Sequence, residues 1–85
     1  MRRVYFTPVA QAQLNVWAVT NKKNYNKIVD LINAIQKEPF SGMGKPEPLK
    51  HQLKGYWSRR IDKVHRLVYS VTEDTIIVVA CKWHY

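Results

Sequence analysis

One cysteine in 85 residues, Cys81, excludes an internal disulfide and any cysteine-built metal site. A single thiol suits a reducing compartment, so a cytoplasmic location is expected. Acidic side chains are scarce. Six Asp and Glu oppose fourteen Lys and Arg, and the formal net charge is +8. That balance calls for a polyanionic partner. The longest apolar run, Ile76 to Cys81, is far too short to cross a bilayer. No apolar stretch follows Met1-Arg2-Arg3, so neither a signal peptide nor a membrane partner is expected. There is no histidine pair at metal spacing, no serine elbow and no glycine loop leading from strand to helix. No cofactor and no metal are expected.

What remains is a globular composition, 46% hydrophobic and 12% aromatic, enough for one domain over residues 1–85. The charge is no tail, because residues 1–44 and 45–85 each carry a net +4, six basic against two acidic groups and eight against four. Residues 2–6 read as a short strand. Thr7-Pro8 reads as a helix start, a hydroxyl at the N-cap before proline. Ala10, Leu14, Trp17 and Ala18 then form one apolar stripe as far as about Asn21. Residues 21–24 read as a polar turn. A second helix from Tyr25 to Lys37 places Ile28, Leu31, Ile32 and Ile35 on one face and ends before Pro39. Residues 39–55 hold all three glycines and three of the four prolines. That composition predicts a long ordered connection. Strand patterns follow over 56–61, 65–71 and 75–83, with turns at Asp62-Lys63-Val64 and Glu73-Asp74. The predicted fold is α+β: an N-terminal strand and an antiparallel helical hairpin packed on a small, mainly antiparallel sheet. The last strand, apolar on both faces, is expected to be central.

Side chains alternate faces along a strand. Trp57 and Ile61, then Leu67, Tyr69 and Val71, and finally Val79, Cys81 and Trp83 are the rows predicted to face inward. By parity Arg60, Arg66, Lys82 and His84 share the face away from the helices. With Glu47 between two prolines and Tyr85 at the terminus, these supply the parts for cutting RNA. A carboxylate takes the proton of a 2′-hydroxyl, guanidinium groups stabilise charge on the attacked phosphate, and an imidazole protonates the departing 5′-oxygen. Each residue has a plainer alternative. Glu47 fits a solvated loop; Arg59-Arg60 serves solubility as well as a phosphate clamp; Arg66 could pair with Asp62 or Glu73. His84 could simply end a strand. His65 fits structural pairing better than catalysis, and His51 is uninformative. Trp57 and Trp83 are expected in the core, Tyr56 and Tyr85 against bases, and Cys81 as a small buried hydrophobe.

Pro39-Phe40, Gly42, the run Gly44-Lys45-Pro46-Glu47-Pro48-Leu49-Lys50-His51, Leu53, Gly55, Trp57-Ser58-Arg59-Arg60-Ile61, His65-Arg66-Leu67-Val68-Tyr69 and Ala80-Cys81-Lys82-Trp83-His84-Tyr85 together resemble the Txe/YoeB family of toxin–antitoxin toxins, within the RelE-like superfamily. The resemblance implies a RelE-like fold and a ribosome-dependent mRNA endoribonuclease that cuts the message in the A site without a metal. It assigns the general base to Glu47, the phosphate-stabilising arginine to Arg66, the general acid to His84 and substrate positioning to Tyr85. Lys50, Arg59, Arg60 and Lys82 are expected to bind substrate. The implied partners are mRNA on the ribosome, a YefM-like antitoxin, a second copy in a homodimer, and operator DNA through the antitoxin complex alone. Two other readings stay open: a ParE-like gyrase poison, and a noncatalytic nucleic-acid-binding or corepressor module.

Overall fold

The computed structural model describes residues 1–84. Strand β1 (Arg3–Phe6) leads into helix α1 (Pro8–Thr20) and helix α2 (Lys22–Lys37). Strands β2 (Glu47–Pro48), β3 (Trp57–Arg60), β4 (His65–Val71) and β5 (Thr75–His84) follow, with a 3₁₀ turn at His51–Leu53 between β2 and β3. The sheet order is β1-β5-β4-β3-β2. β1 runs parallel to β5 and the other pairings are antiparallel. The α+β expectation therefore holds. β5 is flanked on both sides as predicted, although the middle position belongs to β4.

Thr7 caps α1 through its hydroxyl, which accepts from the Ala10 N–H at 3.2 Å, with Pro8 at the first helical position. The expected turn over 21–24 shrinks to one residue. Asn21 donates its N–H to the Trp17 carbonyl, ending α1, and its side chain accepts from the Asn24 N–H, starting α2. Lys22 and Lys23 are thus helical. The core lies between this hairpin and one face of the sheet. Ala10 and Trp17 meet Ile28, Leu31 and Ile35 above Leu67, Tyr69, Ile76, Val78 and Cys81. Ala18, expected on the buried stripe, is exposed.

The connection from 38 to 46 is ordered, as its prolines suggested, and the tie is internal. Arg59 is fully buried and donates to the carbonyls of Glu38, Ser41 and Met43 and to the Tyr69 hydroxyl. Tyr69 in turn donates to the Pro39 carbonyl at 2.8 Å. Gly44 closes the loop with φ +85. A Cβ there would stand 2.7 Å from a Leu31 methyl and 3.0 Å from the Arg59 Cβ, so no other residue fits without displacement.

The strand count is broken in β5. Register runs Val71↔Ile76, Ser70↔Ile77 and Tyr69↔Val78, then Val68↔Ala80, then Arg66↔Trp83 and His65↔His84. β5 uses two more residues than β4 over the same rungs, which is two bulges. The first helix supplies what the bulged backbone lacks. The Gln13 side-chain oxygen accepts from the N–H groups of Cys81 (2.7 Å) and Lys82 (3.1 Å). The Trp17 indole N–H donates to the Cys81 carbonyl at 2.7 Å. The inward row of β5 is therefore Ile76, Val78 and Cys81 instead of Val79, Cys81 and Trp83.

Candidate active site

On the sheet face away from the helices, two rungs carry the chemistry. One aligns Glu47, Ser58, Val68 and Ala80; the next aligns Arg60, Arg66 and Trp83. Arg66 is buried at 6% exposure. One of its terminal nitrogens lies 3.2 Å from the Ser58 hydroxyl and 3.4 Å from a Glu47 carboxylate oxygen. Glu47 is half exposed, with 49% of its side chain accessible. The pairing thus joins a sheltered guanidinium to an accessible carboxylate across β3. Ser58, given no role from the sequence, accepts from Arg66 here.

A groove of about 320 Å³ opens beside Glu47, lined by Pro48, Lys50, His51, Leu53 and Trp83 among others. Trp83 is half-buried in this wall. The expectation that it sits in the core is overturned, because the bulges turn it onto the face of Arg66. Lys50 lines this groove. Arg60 is exposed and in register with Arg66, and it also lines a neighbouring concavity with Lys27, Lys45 and Lys63.

Three placements differ from expectation. Arg59, expected at the substrate, is turned inward by strand parity, and carbonyl oxygens occupy its guanidinium. Lys82 does not share the face of Arg66; its ammonium lies 4.6 Å from the Trp17 ring centroid, on the α1 side. His84 is likewise displaced. It pairs in register with His65, and the two rings meet edge to face at 4.9 Å and 80°. The cause is the same pair of bulges. The fourth catalytic expectation, Tyr85, lies outside the described residues.

Behind His84 stands a row of fixed groups. The His65 ring abuts Trp17 at 4.9 Å and 82°. Its Nδ1 lies 3.0 Å from one Asp62 oxygen and 3.2 Å from the other. Asp62 also accepts from the N–H groups of Val64 (2.8 Å) and His65 (2.6 Å) and from the Asn24 amide (2.9 Å). Burial raises the Asp62 carboxyl, but these hydrogen bonds outweigh it and hold the group well below the usual carboxylate range. The structural pairing expected of His65 is present, and its partner Asp62 went unnoticed in the sequence. Burial pushes the Cys81 thiol up to about 12, against a weaker pull from Lys82. Cys81 is fully buried, the small hydrophobe expected. Among the described residues, no group of three His, Cys, Asp or Glu is placed to hold a metal ion, and no helix is long and apolar enough to cross a membrane.

Comparison with known proteins agrees with this architecture. Residues 6–85 match the family model described as the YoeB-like toxin of bacterial type II toxin–antitoxin systems. Toxin YoeB of Escherichia coli (strain K12) is 54% identical over 69 residues, covering 81% of this chain and 82% of that protein. A YoeB dimer from Staphylococcus aureus superposes with a TM-score of 0.93 at 40% identity, over 99% of this chain and 98% of that one. A YoeB–YefM complex from the same organism gives 0.90 at 41% identity, over 100% and 99%.

Proposed function

The chain belongs to the YoeB-like toxins of bacterial type II toxin–antitoxin systems, and from that premise we propose that it is an endoribonuclease that cuts mRNA in the ribosomal A site and stops translation. The observation that supports this most is the Glu47–Arg66 contact in an open groove. Glu47 removes the proton from a 2′-hydroxyl, and the resulting oxyanion attacks the adjacent phosphorus. Arg66 stabilises charge on the non-bridging oxygens, with Lys50 and Arg60 adding positive field. The P–O5′ bond breaks, and His84 donates the proton that the 5′-oxygen takes. The products are a 2′,3′-cyclic phosphate and a 5′-hydroxyl. No metal enters this scheme.

His84 must act from the end of β5. Its ring packs on the α1 side, while Trp83, one residue earlier, lines the groove. At the last rung of a sheet only the strand end separates the two faces. RNA binding draws the imidazole off His65 and round that end. Tyr85 is assigned to positioning the substrate. The partners proposed are the translating ribosome, a YefM-like antitoxin and a second copy of the toxin, with operator DNA reached through the antitoxin complex. The setting is the cytoplasm.

The placement of His84 favours one competing reading, a module that binds RNA without cutting it. Primer extension on messages in a translating extract separates the two. The parent protein should give cuts within codons at the A site, and Glu47→Ala should lower the cutting rate by about 10²–10⁴-fold. Undiminished cutting by Glu47→Ala would remove Glu47 as base. Binding with no cutting by the parent would favour the competing reading.

A further inference from the structure

Arg59 stands next to the candidate site without facing it. Along β3 the alternation of faces gives Ser58 to the side of Glu47 and Arg66, and Arg59 to the core. Arg59 is wholly buried, and among the described residues no carboxylate pairs with it. Burying a cation is costly unless its N–H groups find acceptors. Here they do. Nε donates to the Tyr69 hydroxyl at 3.0 Å, and one terminal nitrogen donates to the Met43 carbonyl at 2.9 Å. The other donates to the carbonyls of Glu38 (2.5 Å) and Ser41 (2.9 Å). A neutral donor would tie one such carbonyl with less desolvation; the planar guanidinium fixes three together in a set geometry. All three carbonyls belong to the segment that joins α2 to Glu47. The anchoring continues at the next residue, where the Gly44 carbonyl accepts from the Arg60 N–H at 2.7 Å. Glu47 follows closely, and its own strand does little to place it. β2 has two residues and lies at the edge of the sheet. Pro46 and Pro48 have no N–H to give the ladder. The contact of Glu47 with Arg66 is long, at 3.4 Å. Downstream, the Leu49 N–H donates to the Tyr56 carbonyl at 2.9 Å. The carboxylate thus rides on a short span between two fixed points, and Arg59 secures the upstream one.

We propose that Arg59 is a positioning residue for Glu47: by holding the carbonyls of Glu38, Ser41 and Met43 it sets where the carboxylate stands relative to Arg66, without touching RNA. The inference rests on the ribonuclease reading and deepens it. A general base must stand within hydrogen-bond reach of the proton it takes. A displacement of about 1 Å costs on the order of 10²-fold in rate. β3 then serves both halves of the site. Ser58 accepts from Arg66 on one face, and Arg59 fixes the approach to Glu47 on the other.

The test is a double-mutant cycle on single-turnover cutting of ribosome-bound message. Parent, Arg59→Lys, Glu47→Ala and the double variant are compared. Tyr69→Phe, which keeps the guanidinium and removes one of its acceptors, is carried through the same cycle in case Arg59→Lys does not fold. Arg59→Lys should slow cutting at saturating ribosome about 10- to 100-fold and leave the half-saturating concentration unchanged. In the Glu47→Ala background the same change should cost little, because the group it places is gone. Equal losses in both backgrounds overturn the proposal. So does a loss confined to the half-saturating concentration, which would return Arg59 to a contact with RNA. A second measurement needs no cutting. The side-chain carboxyl resonances of Glu47 and of Asp74, in the β4–β5 turn, are compared by NMR in the free parent and the two variants. The Glu47 signal should move and the Asp74 signal should stay. An unmoved Glu47 signal in a folded variant overturns the proposal. A parent that cuts no message, with a Glu47 signal displaced in both variants, leaves Arg59 as the group that places this carboxylate and overturns the ribonuclease reading alone.

Discussion

Asp62 shows how one side chain organises its surroundings. Its two oxygens gather two backbone N–H groups, an amide and an imidazole, and so close the β3–β4 turn and fix the ring against which His84 rests. Because the carboxyl is held below its unfolded value of about 3.9, the charged form is favoured by folding. Its contribution is complete above that unfolded value and disappears as pH falls towards the lower folded one. Chemical denaturation of parent and Asp62→Asn should therefore differ at pH 7, and the gap should begin to narrow below about pH 5 and go on narrowing well below about pH 3. A gap that stays constant with pH would mean that the carboxylate charge contributes nothing. The sequence announced the turn at Asp62-Lys63-Val64 and the pairing habit of His65, but not that the two residues pair with each other. Arg59 was harder to read. Alternation from Trp57 already turned it inward, yet a charged residue inside contradicts the usual burial preference. The carbonyls that satisfy it come from a loop whose path no local pattern specifies.

Among the elements, the helices were the most legible and β5 the least. The stripe Ile28, Leu31 and Ile35 in α2 is buried as its 3.6-residue period demands. In β5 the run from Ile76 to Cys81 is apolar at every position, so alternation offers no contrast by which to detect a slipped register. The two-residue β2 was equally silent, because proline flanks Glu47 on both sides and no strand pattern can be that short. One clue to the bulges lay elsewhere, in α1. Gln13 sits half-buried next to Leu14 and one turn before Trp17, and its oxygen serves the two N–H groups of the bulged segment. Gln13→Leu should lower stability by about 1–3 kcal/mol and speed amide exchange first at residues 80–84. Gln13→Glu, which keeps the acceptor, should restore slow exchange there. Uniform behaviour of all three proteins at 80–84 would show that the bulges hold without the helix.

Over the whole molecule, charge is distributed so that basic groups continue beyond the groove. Lys27, Lys45, Arg60 and Lys63 line one concavity, and Lys23 joins Lys27 and Lys63 in the next, between α2 and the β3–β4 turn. The evenly spread charge seen in sequence gathers in these two concavities, where five basic groups stand against Asp30 and Asp62, only when folding brings the two halves together. If this surface tracks an RNA backbone, the logarithm of affinity for ribosomes should fall linearly with the logarithm of salt concentration. Lys27→Ala combined with Lys63→Ala should then reduce the slope by about one to two while cutting at saturation stays as in the parent. An unchanged slope would assign those lysines to solubility alone.

The tether on the 38–44 loop and the clasp at Asp62 answer differently to acid. Arg59 leans on peptide oxygens and on a phenol that burial makes harder to ionise, acceptors with no proton to gain as a solution is acidified. Its grip on the segment leading to Glu47 is therefore blind to acidity, whereas the clasp beneath His65 and His84 is not. Only strong acid, enough to protonate Asp62, would therefore slacken the support under the imidazoles, and the loop leading to Glu47 would keep its tether throughout.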